Sequence, residues 1–377
     1  MKQIQKYLVL LTLVLAACGS KQVRREIRLK DGQGVDTARI KAAIEALETD
    51  SVNIHSVLVE YKGELVAEYY GKGSDRTMAK RYGIGNPFAG ETVFDAETLH
   101  DVRSASKAVT ALLFGLEHYR KDMPLPHEPV LAHYPKLADI ATPEKNKITF
   151  AHLLTMSSGL EWHEWGRSFL TSDETRLLWK SDTARFVLNK DLLSTPGTAF
   201  LYSGGNTAVL ADIIVRRTGK PLEEIARAGL FEPLGITAWE WAKDSSERPL
   251  AHAGLRLKPR DMLKIGRLVL QKGKWQGKQL IAREWIEQMT RPQIQTPVDF
   301  FSGHGEKLGY GYQWWTGTSP HRGSSVVWSA AVGNGGQRIC VVPQLNLVIV
   351  TIAGDYGERE IQRRVGMIVD AVIAAVP

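Results

Sequence analysis

The amino-acid sequence predicts an α+β fold, in which an antiparallel sheet is formed from both ends of the chain and flanked by helices. Two β-rich runs near the start, Ile54–Tyr61 and Glu64–Tyr70, are joined at Lys62-Gly63, which is a tight hairpin signal. Three further β-rich runs lie close to the end of the chain, whereas the long stretch between the two groups has mostly helical periodicity. Strands at both termini with helices between them are typical of such a sheet with an inserted helical region.

The individual elements follow from the same two periodicities. Apolar residues at helical spacing predict helices, and β-branched or aromatic runs bounded by turn residues predict strands. Residues 71–100 are rich in glycine and polar groups and are expected to form a loop. Helices are expected at 35–47, 104–119, 207–218, 222–230, 260–271 and 358–375, and the C-terminal strands at 326–332, 337–342 and 347–352.

The first 18 residues are typical of an export signal rather than of the folded domain. Lys2 and Lys6 form a basic end, and a short apolar run follows. The run is too short for a membrane span, which needs about 20 apolar residues. Cys18 comes directly after two alanines, and this resembles the bacterial lipobox, which implies that Cys18 is lipidated and becomes the first residue. An ordinary signal peptide cleaved near Ala17 is the alternative.

Charge and cysteine content narrow the classes of partner. Cys340 is the only cysteine besides Cys18, so a lipidated Cys18 leaves no disulfide within the chain. The formal net charge is +7, and removal of residues 1–18 leaves +5. Such a mild excess suits contact with an anionic envelope surface. Because lysine and arginine are scattered and the chain is exported, nucleic acid is not expected as a partner.

These observations divide the chain into a leader, a tether and one domain. The expected location is the cell envelope, with a lipid anchor holding the protein on the periplasmic face. Gly19, rather than aspartate, follows the cysteine, and in enteric bacteria this resembles an outer-membrane address. The predicted parts are a lipoprotein signal peptide at 1–18, a polar tether at 19–33 and a domain at 34–377, with sheet residues at 50–103 and 305–377 and a helical part at 104–304.

The first candidate for catalysis is Ser104-Ala105-Ser106-Lys107, which has the form S-x-x-K. About one such match is expected by chance, so its placement, where a loop gives way to an apolar helix, matters more than the motif. Positions i and i+3 share a helix face, so Lys107 would lie beside Ser104. The helix N-terminus would offer N–H groups to an oxyanion, and a neutral Lys107 could activate the serine hydroxyl. An N-cap serine with a solvated lysine is the alternative.

Two later segments complete a candidate site. Tyr202 lies just before a predicted helix and could relay protons, or it could be an ordinary half-buried aromatic residue. The segment Gly333–Gln337 enters a strand, where its glycines would let a substrate approach the backbone. The N–H of Gln337 would be a second oxyanion donor beside that of Ser104, with Gly336 and Asn334 next to the substrate. A glycine-rich hairpin is the alternative for this segment.

The order of these motifs resembles the serine β-lactamase and penicillin-binding protein superfamily, which carries S-x-x-K, Y-x-N or S-x-N, and K-T-G or H-x-G. Residues 152–160 are similar to its LLTHTSGL segment, 254–262 to its GL…RD helix and 309–315 to its YGYGWW strand. The likeness runs in order from about residue 50 to 370. It is nearest the class C-like branch of esterases, D-amino-acid amidases and nylon-oligomer hydrolases, and it implies a β-lactamase/transpeptidase-like fold.

The sequence departs from that pattern at two motifs. Tyr202-Ser203-Gly204 lacks the usual asparagine, and Asn334 stands where β-lactamases have a lysine or histidine that helps to hold a substrate carboxylate. A serine hydrolase that cleaves an ester or amide through an acyl-enzyme on Ser104 is therefore expected, with Lys107 and Tyr202 moving the proton. A D-Ala peptidase or weak β-lactamase, and a non-catalytic envelope-binding lipoprotein, are the alternatives.

Other catalytic classes have little support in the sequence. There is no G-x-S-x-G nucleophile elbow, no dinucleotide or phosphate-binding glycine motif and no H-E-x-x-H. His163-Glu164 has no partner at the spacing a zinc site needs. No cofactor and no metal are therefore expected. The expected partners are a small ester, amide or peptide-like substrate, and a membrane that is reached through the N-terminal lipid.

Overall fold

The structure, a computed structural model, describes residues 27–86, 88, 90–120, 123–164, 171–297 and 305–377. The predicted signal peptide and Cys18 lie outside these residues. The described helices are α1 Thr37–Thr49, α2 Ala105–Tyr119, α3 Phe150–Leu154, α4 Asp173–Leu177, α5 Thr183–Leu188, α6 Gly204–Thr218, α7 Leu222–Ala226, α8 Pro259–Leu270, α9 Arg283–Thr290 and α10 Glu360–Ala375. The described strands are β1 Ile27–Leu29, β2 Ile54–Tyr61, β3 Glu64–Tyr70, β4 Lys72–Ser74, β5 Glu91–Val93, β6 His100–Asp101, β7 Glu240–Trp241, β8 Leu255–Leu257, β9 Lys274–Trp275, β10 Lys278–Gln279, β11 Ile294–Gln295, β12 Glu306–Tyr310, β13 Trp315–His321, β14 Ser324–Gly333, β15 Gln337–Val342 and β16 Leu347–Ala353.

The main sheet joins the two ends of the domain. Its strands run in the order β1-β3-β2-β16-β15-β14-β13-β12-β11, and every neighbouring pair is antiparallel. An early strand, β2, therefore pairs directly with the last one, β16, near the middle of the sheet. The predicted α+β fold, with an antiparallel sheet built from both termini and helices between them, is confirmed.

Both faces of this sheet are buried, and β16 shows how the sequence achieves this. Val348, Val350 and Ile352 pack in the hydrophobic core that contains the helical region and α8. Leu347 and Ile349 point to the opposite face and pack in the core that contains α1 and α10. Since successive side chains of a strand alternate between faces, a continuous apolar run is what a strand between two cores requires.

The hairpin between β2 and β3 forms where the sequence predicted it. Lys62 (φ 49°) and Gly63 (φ 82°) both have positive φ, as the two-residue turns that match strand twist demand. Tyr61 pairs with Glu64 across the turn. The hairpin fixes the register of the sheet beside the central strand β16.

Two segments differ from their predictions. Ile27–Leu29, within the expected tether, forms edge strand β1 and pairs with β3, because Ile27 and Leu29 are half-buried against the sheet. The expected loop 71–100 contains the short strands β4, β5 and β6, and β6 pairs with β8 from the helical region. None of the helices in the described ranges is long and apolar enough to cross a membrane.

Candidate active site

Ser104 lies where β6 ends and α2 begins. The residue before it, Arg103, has a positive φ of 50°, which costs a non-glycine residue about 1–3 kcal/mol. Arg103 is held in this conformation by a hydrogen bond to Arg76 O (2.6 Å) and by stacking on Tyr356, 4.2 Å from the ring centroid. Ser104 stands at the N-cap of α2, yet its side chain makes no capping hydrogen bond. Its hydroxyl is therefore available for other contacts.

Lys107 lies one helical turn after Ser104, on the same face of α2. Its Nζ is 3.1 Å from Ser104 Oγ, 3.1 Å from Glu164 Oε1 and 3.0 Å from His252 O. The side chain is only 1% exposed. All three partners can accept a hydrogen bond, and an ammonium group has three to donate. The resting geometry therefore matches a protonated, ion-paired Lys107, which differs from the neutral lysine expected from the sequence.

Glu164 is the buried counter-charge of Lys107. Its Oε1 faces Lys107, and its Oε2 accepts hydrogen bonds from the Gly204 N–H and from Trp162 Nε1 (2.9 Å). Burial alone would raise the pKa of this carboxyl, but the Lys107 charge, His252 and these hydrogen bonds hold the pKa below its ordinary value. The sequence argument considered Glu164 only as a metal ligand. Its position 57 residues from Lys107 offered no local signal of the contact.

Tyr202 completes the cluster around the serine hydroxyl. Its side chain is hydrogen-bonded to Ser104, and Lys107 Nζ lies 4.6 Å from its ring centroid. The ring stacks on Trp315, with centroids 5.8 Å apart. Burial, and then the nearby Glu164 charge, raise the pKa of Tyr202 well above 10. Tyr202 is therefore a neutral phenol at physiological pH, placed to donate a hydrogen bond.

The cluster can perform acyl transfer by a nucleophilic serine. A hydroxyl at a helix N-terminus, a lysine within hydrogen-bond distance and a neutral tyrosine provide a nucleophile, a base and a proton donor. A family model described as Beta-lactamase matches residues 51–365, which is most of the chain. The chain belongs to the beta-lactamase family. The predicted superfamily is therefore confirmed.

Two proteins related in sequence place this beta-lactamase family member among hydrolases. The 6-aminohexanoate-dimer hydrolase of Paenarthrobacter ureafaciens is 24% identical over 323 residues, which are 78% of this chain and 71% of that protein. PbpX of Bacillus subtilis, assigned to the penicillin-binding proteins, is 24% identical over 237 residues, which are 63% of this chain and 54% of that protein. The predicted enzyme class, a β-lactamase-related serine hydrolase, is confirmed at this level.

Solved structures of the beta-lactamase family confirm the fold. EstCE1, a hydrolase with promiscuous acyltransferase activity, superposes with a TM-score of 0.68 at 17% identity and covers 90% of this chain and 98% of its own. A penicillin-binding protein homologue from Caulobacter crescentus also gives a TM-score of 0.68, at 16% identity, and covers 92% of this chain and 98% of its own. At such low identity these likenesses concern the fold alone.

The third segment predicted from sequence, Gly333–Gln337, forms the turn between β14 and β15 in this beta-lactamase family member. Gly335 (φ 95°) and Gly336 (φ 104°) have the positive φ that glycine tolerates best. A Cβ on Gly336 would lie 3.0 Å from Ile361 in α10. Its geometry is thus that of the glycine-rich hairpin, the alternative considered from the sequence.

The polar side chains of this turn contact the C-terminal part of the chain. Asn334 Oδ1 accepts a hydrogen bond from the Gly357 N–H (2.9 Å), and the Asn334 side chain is exposed. The Gln337 side chain donates to Asn334 O and accepts from the Ala353 N–H. Among the described residues, the contacts of Asn334, Gly336 and Gln337 thus differ from those of Lys107 and Tyr202, which adjoin Ser104. The roles predicted for these three residues remain predictions.

The end of strand β14 lies closer to the nucleophile than the turn side chains do. A Cβ on Gly333 would be only 2.3 Å from Val102 O, two residues before Ser104. Strand β13 pairs with β14 only as far as Ala330, although β14 continues to Gly333. Because alternate residues of a strand direct their N–H groups to opposite sides, at least one N–H in 331–333 faces the side where β13 has ended.

A second acidic residue lies behind the lysine of this beta-lactamase family site. His252 Nε2 is 3.6 Å from Glu174 Oε1. Burial, and then the Lys107 charge, lower the pKa of His252 to about 3, so this imidazole is neutral. One third of the Glu174 side chain is exposed, yet the protein packed around its carboxyl, and then the Glu164 charge, raise its pKa to about 7. Glu174 therefore changes charge near physiological pH, close to the catalytic cluster.

Proposed function

We propose that this protein is a cell-envelope serine hydrolase that cleaves an ester or amide through an acyl-enzyme on Ser104. The observation that carries the proposal is the 3.1 Å contact between Ser104 Oγ and the buried Nζ of Lys107, with Tyr202 hydrogen-bonded to the same serine. The activity named for the relative from Paenarthrobacter ureafaciens, hydrolysis of the 6-aminohexanoate dimer, supports amides as one substrate class.

The proton of Ser104 leaves through Lys107 in this proposal. The ammonium form of Lys107 becomes a base when one of its protons moves 3.1 Å to Glu164 Oε1, which converts the ion pair into an amine and a carboxylic acid. A neutral pair is less costly than separated charges in a site without water. Lys107 then takes the hydroxyl proton while Ser104 Oγ bonds to the acyl carbon.

Tyr202 delivers that proton to the leaving group. Its phenol is neutral and already bonded to Ser104, so it can donate as the scissile bond breaks, and Lys107 then returns a proton to the phenolate. Glu164 finally returns its proton to Lys107, which restores the ion pair. The net transfer is one proton from Ser104 to the leaving alcohol or amine. Hydrolysis of the acyl-enzyme by water repeats the steps in reverse order.

The oxyanion of the tetrahedral intermediate needs two backbone donors. The N–H of Ser104 at the start of α2 supplies one. For the second, the strand end 331–333 is better placed than Gln337, because Gly333 packs against Val102 and the neighbouring side is left open by β13.

A substrate panel with a covalent probe tests the activity. Protein lacking residues 1–18 is treated with a fluorescent phosphonate and assayed with short-chain esters, D-amino-acid amides and penicillins, with Ser104→Ala as the control. Labelling and ester or amide turnover that Ser104→Ala abolishes support the proposal. Turnover of penicillins or D-Ala peptides alone would favour the cell-wall alternative. Failure of every probe to label Ser104 would indicate a non-catalytic binding protein.

The envelope location has its own test. We propose that Cys18 is acylated and anchors the protein in the outer membrane, since it follows two alanines at the end of an export signal. The wild-type protein is then expected to incorporate labelled palmitate and to fractionate with membranes. Cys18→Ser should do neither, and equal labelling of both proteins would contradict the anchor.

A further inference from the structure

A second group of reactive side chains lies just before the nucleophile. His55 on β2, Asp75 after β4 and His100 on β6 each place one ligand-type atom within 4.8 Å of the other two. Both histidines are buried and Asp75 is half-buried, so the group has one side toward solvent. Imidazole nitrogens and a carboxylate oxygen are ligands that zinc commonly takes in proteins.

The nitrogens of this group lack hydrogen-bond partners. His100 is 1% exposed, and neither of its ring nitrogens has a partner in the part of the chain that the structure describes. The same holds for His55 Nδ1. Native proteins rarely leave buried polar atoms unpaired, because each costs about 1–3 kcal/mol. Three such atoms around one point indicate that something else binds there.

The local hydrogen bonds prepare these residues as metal ligands. His55 Nε2 lies 3.0 Å from Ser74 O and 3.1 Å from Asn53 Oδ1, which both accept, so Nε2 carries the hydrogen and Nδ1 presents a lone pair. Burial lowers the pKa of His55 to about 4 and also lowers that of His100, so both rings are neutral, as metal binding requires. The Tyr356 hydroxyl donates to Asp75 Oδ1 (2.7 Å) and orients the carboxylate.

The nearest cation does not oppose a metal at this place. Arg256 lies close enough to His100 to affect its titration, but its guanidinium is paired with two carboxylates. Arg256 Nε is 3.0 Å from Asp101 Oδ1, and Nη1 is 2.6 Å from Glu240 Oε2. The remaining charge in the group is that of Asp75, which attracts a cation.

We propose that His55, His100 and Asp75 bind one divalent transition-metal ion, with zinc as the best match. Two imidazoles and one carboxylate, with a water in the fourth position, form a common zinc donor set. Ligand atoms around tetrahedral zinc lie roughly 3.3 Å apart, given bonds of about 2.0 Å. The present limit of 4.8 Å therefore requires only small side-chain rotations.

The metal would act on structure rather than on the substrate. It would join β2, the segment after β4 and β6, and His100 is four residues before Ser104. The neighbouring Tyr356 bonds Asp75 and stacks under Arg103, which has the strained φ beside the nucleophile. A bound ion would therefore hold the segment that presents Ser104.

Metal content and unfolding temperature test the proposal without reference to activity. The full-length chain, purified in detergent, is stripped with a chelator, dialysed against buffered zinc and analysed by mass spectrometry for zinc per chain. We expect one zinc ion per chain and a higher Tm with zinc than without it. Cobalt in place of zinc should give the visible spectrum of a four-coordinate site.

Two ligand variants and one control locate the ion. Asp75→Asn keeps an oxygen for the Tyr356 hydroxyl, so it should fold, and His100→Gln removes a nitrogen ligand. Since loss of an outer partner alone weakens metal binding about 10–100-fold, each variant should bind zinc at least ~10-fold more weakly and lose the Tm increase. His133→Gln, at another histidine beside a carboxylate, should match the wild type. Wild-type protein without zinc, or Asp75→Asn with unchanged affinity, would overturn the proposal and leave water as the occupant.

Discussion

Lys107→Met is the most informative perturbation of the catalytic cluster, because it removes one charge of a buried pair while keeping the side-chain length. In the folded protein Lys107 Nζ is 3.1 Å from Glu164 Oε1, and the two side chains are 1% and 4% exposed. With an effective dielectric constant of 20, two charges at that distance attract by about 5 kcal/mol. Removal of one partner of a buried pair costs about 3–5 kcal/mol, so we expect a loss of that size in the free energy of unfolding near pH 8.

The loss should depend on pH, and the sign follows from Glu164. In the wild type its pKa is below the ordinary 4.5, so its contribution is fully present above pH 4.5 and is lost as the pH falls through the folded value. In Lys107→Met only burial and the neutral hydrogen bonds remain. The buried carboxyl would then hold its proton, and the variant would lose stability as the pH rises. The difference between the two proteins should therefore be small near pH 4.5 and largest near pH 8.

Urea unfolding followed by tryptophan fluorescence at several pH values measures this difference. The control is the double variant Lys107→Met/Glu164→Gln, in which no charge is buried, and it should recover most of the stability that Lys107→Met loses at pH 8. An equal loss at pH 4.5 and pH 8 would refute the reasoning, as would a double variant no more stable than Lys107→Met. Either result would mean that Glu164 is not the ionised partner of Lys107.

Three further predictions concern the surroundings of that pair. Tyr202→Phe should lower kcat by about 10²–10⁴-fold on the best ester with little change in KM; a change confined to KM would contradict proton donation. Because the pKa of Glu174 is raised to about 7, its folded form binds a proton that the unfolded chain releases above pH 4.5, so unfolding free energy should fall with rising pH up to about 7. Glu174→Gln should reduce that slope in urea unfolding, and an unchanged slope would assign it to another group. In α2, a Cβ on Gly115 would lie 2.2 Å from the Trp285 ring, so Gly115→Ala should cost about 1–3 kcal/mol, whereas Gly90→Ala, with open space, should leave the melting temperature unchanged.

Features with local signals could be predicted from the sequence. The Lys62-Gly63 hairpin depends on two adjacent residues that both adopt positive φ. The contact between Ser104 and Lys107 depends on a spacing of three residues in a helix. In both cases the physical cause lies within a few residues of its effect, so neither needed knowledge of the fold.

Features formed by distant residues could not be predicted in this way. Glu164 reaches Lys107 only because the loop before α4 packs against α2, and its neighbour His163 suggested only a metal motif. Ile27 and Leu29 looked like part of a tether because strand β1 exists only through its pairing with β3. The glycines around Asn334 allow both a substrate-binding strand and a hairpin turn, and the hydrogen bond to Gly357 is invisible in the sequence.

The same separation explains why no metal site was expected. The search for zinc ligands relied on short motifs, whereas His55, Asp75 and His100 are 20 and 25 residues apart. They meet because β2, the end of β4 and β6 converge. Chain order therefore carries no trace of this group.

Strand β1 determines how far the enzyme could stand from a bilayer. Ile27 pairs with Tyr69 at the edge of the sheet, so only residues 19–26 separate it from Cys18. Fully extended, that leash reaches about 30 Å. With Cys18 lipidated, the domain would patrol a thin shell above the lipid headgroups, where a substrate displayed by the envelope has a high effective concentration. A freely diffusing substrate would gain no such advantage, so a short leash favours an enzyme whose targets are fixed to the same surface.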